Sequence, residues 1–258
     1  MNKAISISDI FVKKICEKWW NLLTKEDIVR IWTLSGWSKS RVSYAMSTLL
    51  GRNLVGNISK GLYRVKSEEW RVKNMDEDYW IIIEKIIGMY SPSGGIIGWE
   101  KALELHLQNY SIPDILIIYT RDTAQRVKLK DGREIHFRTL VSGEKTGGKN
   151  LYRILTEEAS IFSQNKKLQF LSPEASLLDA LSLRRHETWV EESNILRFLR
   201  SYHTKLRREV LWTLVRYRYI RAINRLRALA RDNGYTELYK KTLDVIRDEG
   251  GGCYLNIN

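Results

Sequence analysis

Apolar residues recur at steps of three and four from Asp9 to Leu23. Phe11, Ile15, Trp19 and Leu22/Leu23 predict a helix there, with Asp9 as its N-cap. Thr24 is placed to cap a second helix, with Glu26 and Asp27 in the first turn, where the helix dipole favours acids. Ile28, Ile31 and Trp32 form its apolar side, and Gly36 is the natural left-handed residue that ends it. A third helix follows from Ser38. Val42, Ala45, Met46, Leu49 and Leu50 keep the i, i+3, i+4, i+7, i+8 spacing, and Gly51 is expected to end it. Projected at about 100° per residue, Ser40, Tyr44 and Ser47 point away from that stripe, with Ser43 and Arg41 at its flanks. "LVGNISKGLYRV" then reads as two short strands around a basic turn.

Helix, helix, glycine turn, helix and hairpin, in that order, predict a winged helix-turn-helix over residues 1–73. The alternative is a three-helix bundle with no role in nucleic-acid binding. The outer face of the third helix argues against it. A solvated helix face is usually rich in Glu and Lys, whereas this one carries Ser, Ser, Tyr and Ser beside Lys39 and Arg41, with no acid between Lys39 and Arg52. Small hydroxyls allow close approach to base edges, and Arg and Lys contact phosphate or guanine. The residues expected to face DNA are Ser38, Lys39, Ser40, Arg41, Tyr44 and Ser47 on the helix, with Ser59 and Lys60 at the wing tip.

Residues 74–190 read as a mixed α/β domain. After a charged linker, Tyr79 to Tyr90 predicts a buried helix that "SPSGG" breaks, and "WEKALELHL" predicts another. "DILIIYT" is a continuous apolar run of the kind that forms a buried strand. "RVKLKDGREIHFRTL" alternates on both sides of Asp131-Gly132, a strong hairpin pattern. "VSGEKTGGKN" reads as a loop, and Ser172 with Pro173 opens a further helix. From Ser193 the chain reads as helices. Leu206, Val210, Leu214 and Tyr217, continued by Ile220, Ile223 and Leu226, form one stripe that closes at Asn233-Gly234, and a last helix spans Thr236 to Arg247. The expected fold class is thus α+β: a winged helix-turn-helix, a middle mixed domain and a basic helical region over 191–258.

Charge adds the main functional constraint. Forty-three Lys and Arg against thirty Asp and Glu leave the 258-residue chain at +13, with an isoelectric point near 9.7. The excess lies in two blocks, net +8 over residues 1–73 and net +9 over 184–231, around a near-neutral middle. Blocked positive charge favours a polyanionic partner. The second block offers a secondary basic surface through Arg207, Arg208, Arg218, Arg221 and Arg225. The alternative is a solvated face, or one compensated by acids of the same protein.

Two stretches carry a resemblance. "GIIGWEKALELH" (Gly95 to His106) followed by "IPDILIIYT", and "LSPEASLLDAL" (Leu171 to Leu181) after a "DGREIHF" hairpin, resemble the C-terminal region of AbiEi-like antitoxins of type IV toxin–antitoxin systems, also called abortive infection systems. The expected winged helix fits the same family, and the resemblance spans roughly residues 10 to 185. It implies an autorepressing transcription regulator that binds double-stranded DNA at repeats in its own promoter, as a homodimer or cooperatively. It also implies a part that counteracts a partner nucleotidyltransferase toxin, without requiring direct contact.

Little points to catalysis. His106, His136, His186 and His203 form no HExxH pattern, and Cys16 and Cys253 stand far apart, so neither a metal, a cofactor nor a catalytic residue is expected. The enzymatic alternative is a Mg-dependent nuclease of the PD-(D/E)xK pattern, with Asp114 and Glu134 as metal ligands and His136 at the lysine position. A nucleic-acid-binding protein without an antitoxin role is the other alternative, as is a protein that neutralises a toxin by contact. No apolar run is long enough for a membrane span and no signal peptide is evident, which places the chain in the cytoplasm as an expectation.

Overall fold

The computed structural model describes residues 22–33, 36–65, 78–140, 151–162, 167–182 and 190–249. The chain is a mixed α+β protein that divides into two compact units, Met1–Tyr90 with Val127–Glu134, and Ser91–Arg126 with Ile135–Asn258. This division departs from the expected boundaries in three ways, the first being that Val127–Glu134, expected in the middle domain, falls in the first unit. The helix Tyr79–Tyr90 belongs with the first unit, and the basic helices join the mixed α/β segment instead of standing apart.

The first unit opens with strand β1 (Leu22–Thr24), then α1 (Lys25–Thr33), α2 (Lys39–Gly51), β2 (Val55–Ser59), β3 (Leu62–Val65) and α3 (Tyr79–Tyr90). The strands form an antiparallel sheet in the order β1-β3-β2. Leu22 and Leu23, expected at the end of a helix, are paired with Arg64 and Tyr63 instead. The rest of that expected helix lies outside the described residues. Both leucines are buried, and Leu23 joins Ile28, Trp32, Val42, Leu49, Val55 and Val65 in one core. Burying such side chains contributes roughly 1.5–3 kcal/mol each.

Local signals set the ends of α1. The Thr24 hydroxyl accepts from the Asp27 N–H at 3.1 Å, and the Asp27 carboxylate accepts from the Thr24 N–H at 3.1 Å, a reciprocal cap. At the other end Gly36 has φ +77°, with its N–H bonded to the Thr33 carbonyl and the Trp37 N–H to that of Trp32. This is the left-handed helix terminus that glycine adopts without strain. Helix α3 closes against the hairpin: the Asp78 carboxylate pairs with Arg64 at 2.6 Å, and the Tyr90 hydroxyl donates to the Lys60 carbonyl.

Apart from Val127–Glu134, which belongs to the first unit, the second unit is built on a sheet of β4 (Ile96–Ile97), β5 (Ile115–Thr120), β6 (Gln125–Lys128), β7 (Glu134–Thr139), β8 (Ser160–Ile161) and β9 (Gln169–Phe170), in the order β6-β7-β5-β4-β9-β8. Strand β4 runs antiparallel to β5 and parallel to β9. Helices α4 (Trp99–His106), α5 (Leu151–Glu157), α6 (Pro173–Ala180), α7 (Glu192–Tyr202), α8 (Arg208–Leu214), α9 (Ile220–Asp232) and α10 (Thr236–Asp248) complete it. The hairpin at Asp131-Gly132, the Ser172–Pro173 helix start and the buried β5 match the expected pattern. The loop from 141 to 150 lies outside the described residues.

The long helix expected from Leu206 is interrupted. A π-helical turn, Val215–Tyr219, separates α8 from α9. A π turn adds a residue to the helical cycle, so the buried stripe slips by one position. Leu206, Val210 and Leu214 are buried as expected, but the stripe then runs through Val215 and Tyr219, not Tyr217, with Ile220 only half-buried, before Ile223 and Leu226.

Candidate nucleic-acid interface

Helix α2 is fixed to its unit by Val42, Ala45 and Leu49, all buried, with Met46 packed beside them. Ser38 caps it, its hydroxyl accepting from the Arg41 N–H at 3.4 Å. The opposite side is open: Ser38, Lys39, Ser40, Arg41, Ser43, Tyr44 and Ser47 are all exposed, Tyr44 at 75%. The projected outer face and the observed one therefore coincide on the helix.

One expectation on this element is corrected. Leu50 is exposed and not part of the core. Gly51 is the last residue of α2, as expected, and the left-handed residue that follows is Asn53, at φ +57°. Its N–H bonds to the Leu50 carbonyl and the Leu54 N–H to that of Leu49. Asparagine tolerates this conformation better than other side chains do, so it substitutes for glycine.

The chemistry of the face follows from its bonds. Ser43 donates to the Lys39 carbonyl, Ser47 to the Ser43 carbonyl and Thr48 to the Tyr44 carbonyl. These hydroxyl protons are held by the helix, which leaves oxygen lone pairs directed outward as acceptors. The first turn of α2 holds no acid, whereas that of α1 holds Glu26 and Asp27. Lys39 and Arg41 therefore add positive charge to an end that the helix dipole already makes positive, an arrangement that an anion relieves. Arg41 is also held in place. Its guanidinium lies over the Trp37 ring, which packs on Trp32 with centroids 4.1 Å apart.

The hairpin departs from expectation at one position. Lys60 is exposed, but Ser59 is buried and does not reach the surface. A bulge between Asn57 and Ser59 turns Ser59 inward. The turn is tied on two sides, since the Lys25 N–H bonds to the Gly61 carbonyl and the Tyr90 hydroxyl to that of Lys60.

The secondary basic surface is compensated in part, at Arg207 and Arg208, within the second unit. The buried Glu174 carboxylate accepts from the Arg207 N–H at 2.8 Å, its Nε at 3.1 Å and a terminal guanidinium nitrogen at 3.2 Å. Glu158 binds the same guanidinium at 2.9 Å. Arg208 pairs with Asp248 and Arg216 with Glu249. Arg225 donates to the Leu181 carbonyl, and its pKa is lowered by burial and then by Arg221. Arg221 remains exposed, and the side chain of Arg218 lies outside the described residues. The sequence hid these pairings because the acids lie 33 and 40 residues away.

The two stretches that carry the family resemblance meet in the second unit. Asp179, fully buried, accepts from the Trp99 N–H at 3.1 Å and the Tyr119 hydroxyl at 2.7 Å. The Tyr219 hydroxyl lies 3.5 Å from its other oxygen. His106 bonds to the Leu171 carbonyl at 2.9 Å, among the rings of Phe170, Phe198 and Tyr202, and burial lowers its pKa. Gly98 is required here because a Cβ would stand 2.2 Å from the Tyr119 ring. Asp114 is exposed ahead of β5, Glu134 opens β7 and His136 is buried on it. Among the described residues no group of three or more His, Cys, Asp or Glu side chains is placed to hold a metal ion. Among them, too, no helix is long and apolar enough to cross a membrane.

Fold and site together define a mixed α+β chain with an exposed hydroxyl- and cation-bearing helix in one of its units. No family model matches the chain, and no curated protein does. Among solved structures it is similar to the RV2827C protein from Mycobacterium tuberculosis, with a TM-score of 0.56 at 14% sequence identity. The match covers 92% of this chain and 79% of that one. At that identity the likeness is one of fold.

Proposed function

We propose that the first unit is a winged helix-turn-helix and that the protein is a sequence-specific, DNA-binding transcriptional repressor. The observation that carries this reading is the exposed face of α2, with Ser40, Arg41, Ser43, Tyr44 and Ser47 outward and no acid from Lys39 to Arg52. In this reading α1 and α2 form the helix-turn-helix, α2 enters the major groove of double-stranded DNA, and the β2–β3 hairpin is the wing. Retardation of a duplex from the region upstream of the protein's own coding sequence tests it. Arg41→Ala and Tyr44→Ala are expected to abolish the shift while circular dichroism stays unchanged, and unaltered binding by both variants counts against it.

The antitoxin role is proposed on the resemblance of Gly95–His106 and Leu171–Leu181 to AbiEi-like proteins. The bonds from Asp179 to Trp99 and from His106 to Leu171 support it, since they make the two stretches one interlocked element. In this reading the second unit counteracts a nucleotidyltransferase-type toxin in the cytoplasm. Co-expression with such a protein from the adjacent reading frame tests it: growth is restored by this chain and also by its Arg41→Ala form. Failure of the wild-type chain to restore growth removes the antitoxin role and leaves the repressor.

A further inference from the structure

The hairpin tip Val127–Glu134 is remote in sequence from α1–β3 but belongs to the same compact unit. The Lys130 N–H bonds to the Ile58 carbonyl at 3.0 Å. Ile58 lies in the bulge between Asn57 and Ser59, where regular pairing with β3 lapses, and two residues before the exposed Lys60. The tip itself is tightly closed. The Leu129 N–H bonds to the Arg133 carbonyl at 2.8 Å, and the Gly132 N–H to that of Leu129 at 3.1 Å.

The side chains alternate as a strand demands. Val127 and Leu129 are buried, which turns Lys128 and Lys130 outward, and both are exposed. The one acid among residues 127–133, Asp131, is bound by the Arg133 side chain at 2.6 Å and by its N–H at 3.1 Å. Arg133 in turn lies over the Tyr79 ring, 5.1 Å from the centroid. Among the described residues neither lysine has a carboxylate partner. The tip therefore presents two uncompensated ammonium groups on a braced turn, one backbone hydrogen bond from the β2–β3 hairpin.

We infer that this tip is a second basic wing, in which Lys128 and Lys130 contact the phosphate backbone of duplex DNA beside Lys60. The inference rests on the DNA-binding reading of the first unit and adds a phosphate site to it. Lysine suits the role because its ammonium is a mobile point charge that follows a backbone without reading bases. Each phosphate neutralised adds about 0.9 to the slope of log K against log salt concentration. The competing account is that lysines at the end of the edge strand β6 and in the turn beyond it merely discourage strand-to-strand association.

The test uses the full chain and a mixed-sequence duplex about three helical turns long, with affinity measured by fluorescence anisotropy across a salt series. Lys128→Ala/Lys130→Ala is expected to lower the magnitude of the slope by about 2. Lys128→Gln/Lys130→Gln, which keeps the apolar stems, should match it. The charge-matched control Lys205→Ala/Lys240→Ala should keep the wild-type slope. An unchanged slope in the hairpin variants, or an equal fall in the control, overturns the second wing while the repressor reading stands. Absence of any binding by the wild-type chain overturns both.

Discussion

The Arg41 guanidinium lies 4.3 Å from the centroid of the Trp37 ring, on the outer face of α2. Trp37 packs in turn on the buried Trp32, so the stack runs from the surface into the core. Stacking on an aromatic ring orients the planar guanidinium before any ligand arrives, which lowers the entropy lost on binding.

Arg41→Lys is therefore expected to separate charge from geometry. Lysine keeps the positive charge but not the fork or the stack. On the proposed repressor reading, discrimination between the operator and a mismatched duplex should fall by about 1–3 kcal/mol, while the salt dependence of binding stays the same. Tyr44→Ala, at an exposed position, should leave the melting temperature near that of the wild type and still abolish the operator shift. Competition assays on matched and mismatched duplexes, with thermal melts as control, measure both.

Asn53 makes a prediction about stability alone. It holds a left-handed conformation at the end of α2, where glycine is unstrained and a β-branched residue is not. Asn53→Gly should raise the stability of the first unit by about 0.5–1 kcal/mol, and Asn53→Val should lower it by about 1–2 kcal/mol. Denaturant titration gives the two signs. A loss of stability in the glycine variant contradicts the assignment of Asn53 as the helix terminus.

How much of this was legible in the sequence depended on the range of the interactions. The face of α2 was legible because Val42, Ala45 and Leu49 repeat within one element. Leu50 fits the same spacing, yet it lies at the surface. Strand β1 was not legible, since Leu22-Leu23-Thr24 is too short to alternate and reads as the end of a helix. The π turn at Val215–Tyr219 has no glycine or proline to announce it, so the shift of the buried stripe to Tyr219 could not be foreseen. The basic helices misled for a different reason. Composition counts Arg207 and Arg208 as excess charge, but Glu174 and Asp248 reach them only through the fold. Lys128 and Lys130 show the converse, an unremarkable strand pattern that gains meaning from the Lys130–Ile58 bond.

Asp179 organises the second unit. Its removal in Asp179→Ala leaves the Trp99 N–H and the Tyr119 hydroxyl buried without their acceptor. At about 1–3 kcal/mol for each of these two donors, the variant should lose roughly 2–6 kcal/mol. Trp99 sits at φ +55°, a conformation that a bulky side chain adopts only under constraint, and the Asp179 bond is part of that constraint. Gly98→Ala attacks the same place sterically and should cost about 3 kcal/mol, because the Tyr119 ring cannot retreat and keep its bond to Asp179. Urea unfolding measures both. Retention of wild-type stability by either variant contradicts this packing.

The Glu174–Arg207 pair predicts an acid dependence. Burial alone would raise the Glu174 pKa, but the Arg207 side-chain and backbone hydrogen bonds outweigh it and hold the carboxyl below its ordinary value of 4.5. The Arg207 pKa is raised, chiefly by its hydrogen bond to Glu174, which agrees in sign. A carboxyl whose pKa is lower in the folded than in the unfolded chain contributes stability that is fully present above the unfolded value. That contribution is lost as the pH falls through the folded value. Wild-type stability should therefore decline from about pH 4.5 downward. Glu174→Gln, already lacking the charge, should start lower at neutral pH by about 2 kcal/mol and decline less steeply over the same range. Arg207→Ala, which strands the buried carboxylate, should also be destabilised at neutral pH, and should regain part of the difference on acidification as Glu174 becomes neutral. Chemical denaturation at stepped pH, comparing the three proteins, separates these slopes. Parallel curves for the wild type and Glu174→Gln below pH 4.5 show that the pair does not set the acid limit.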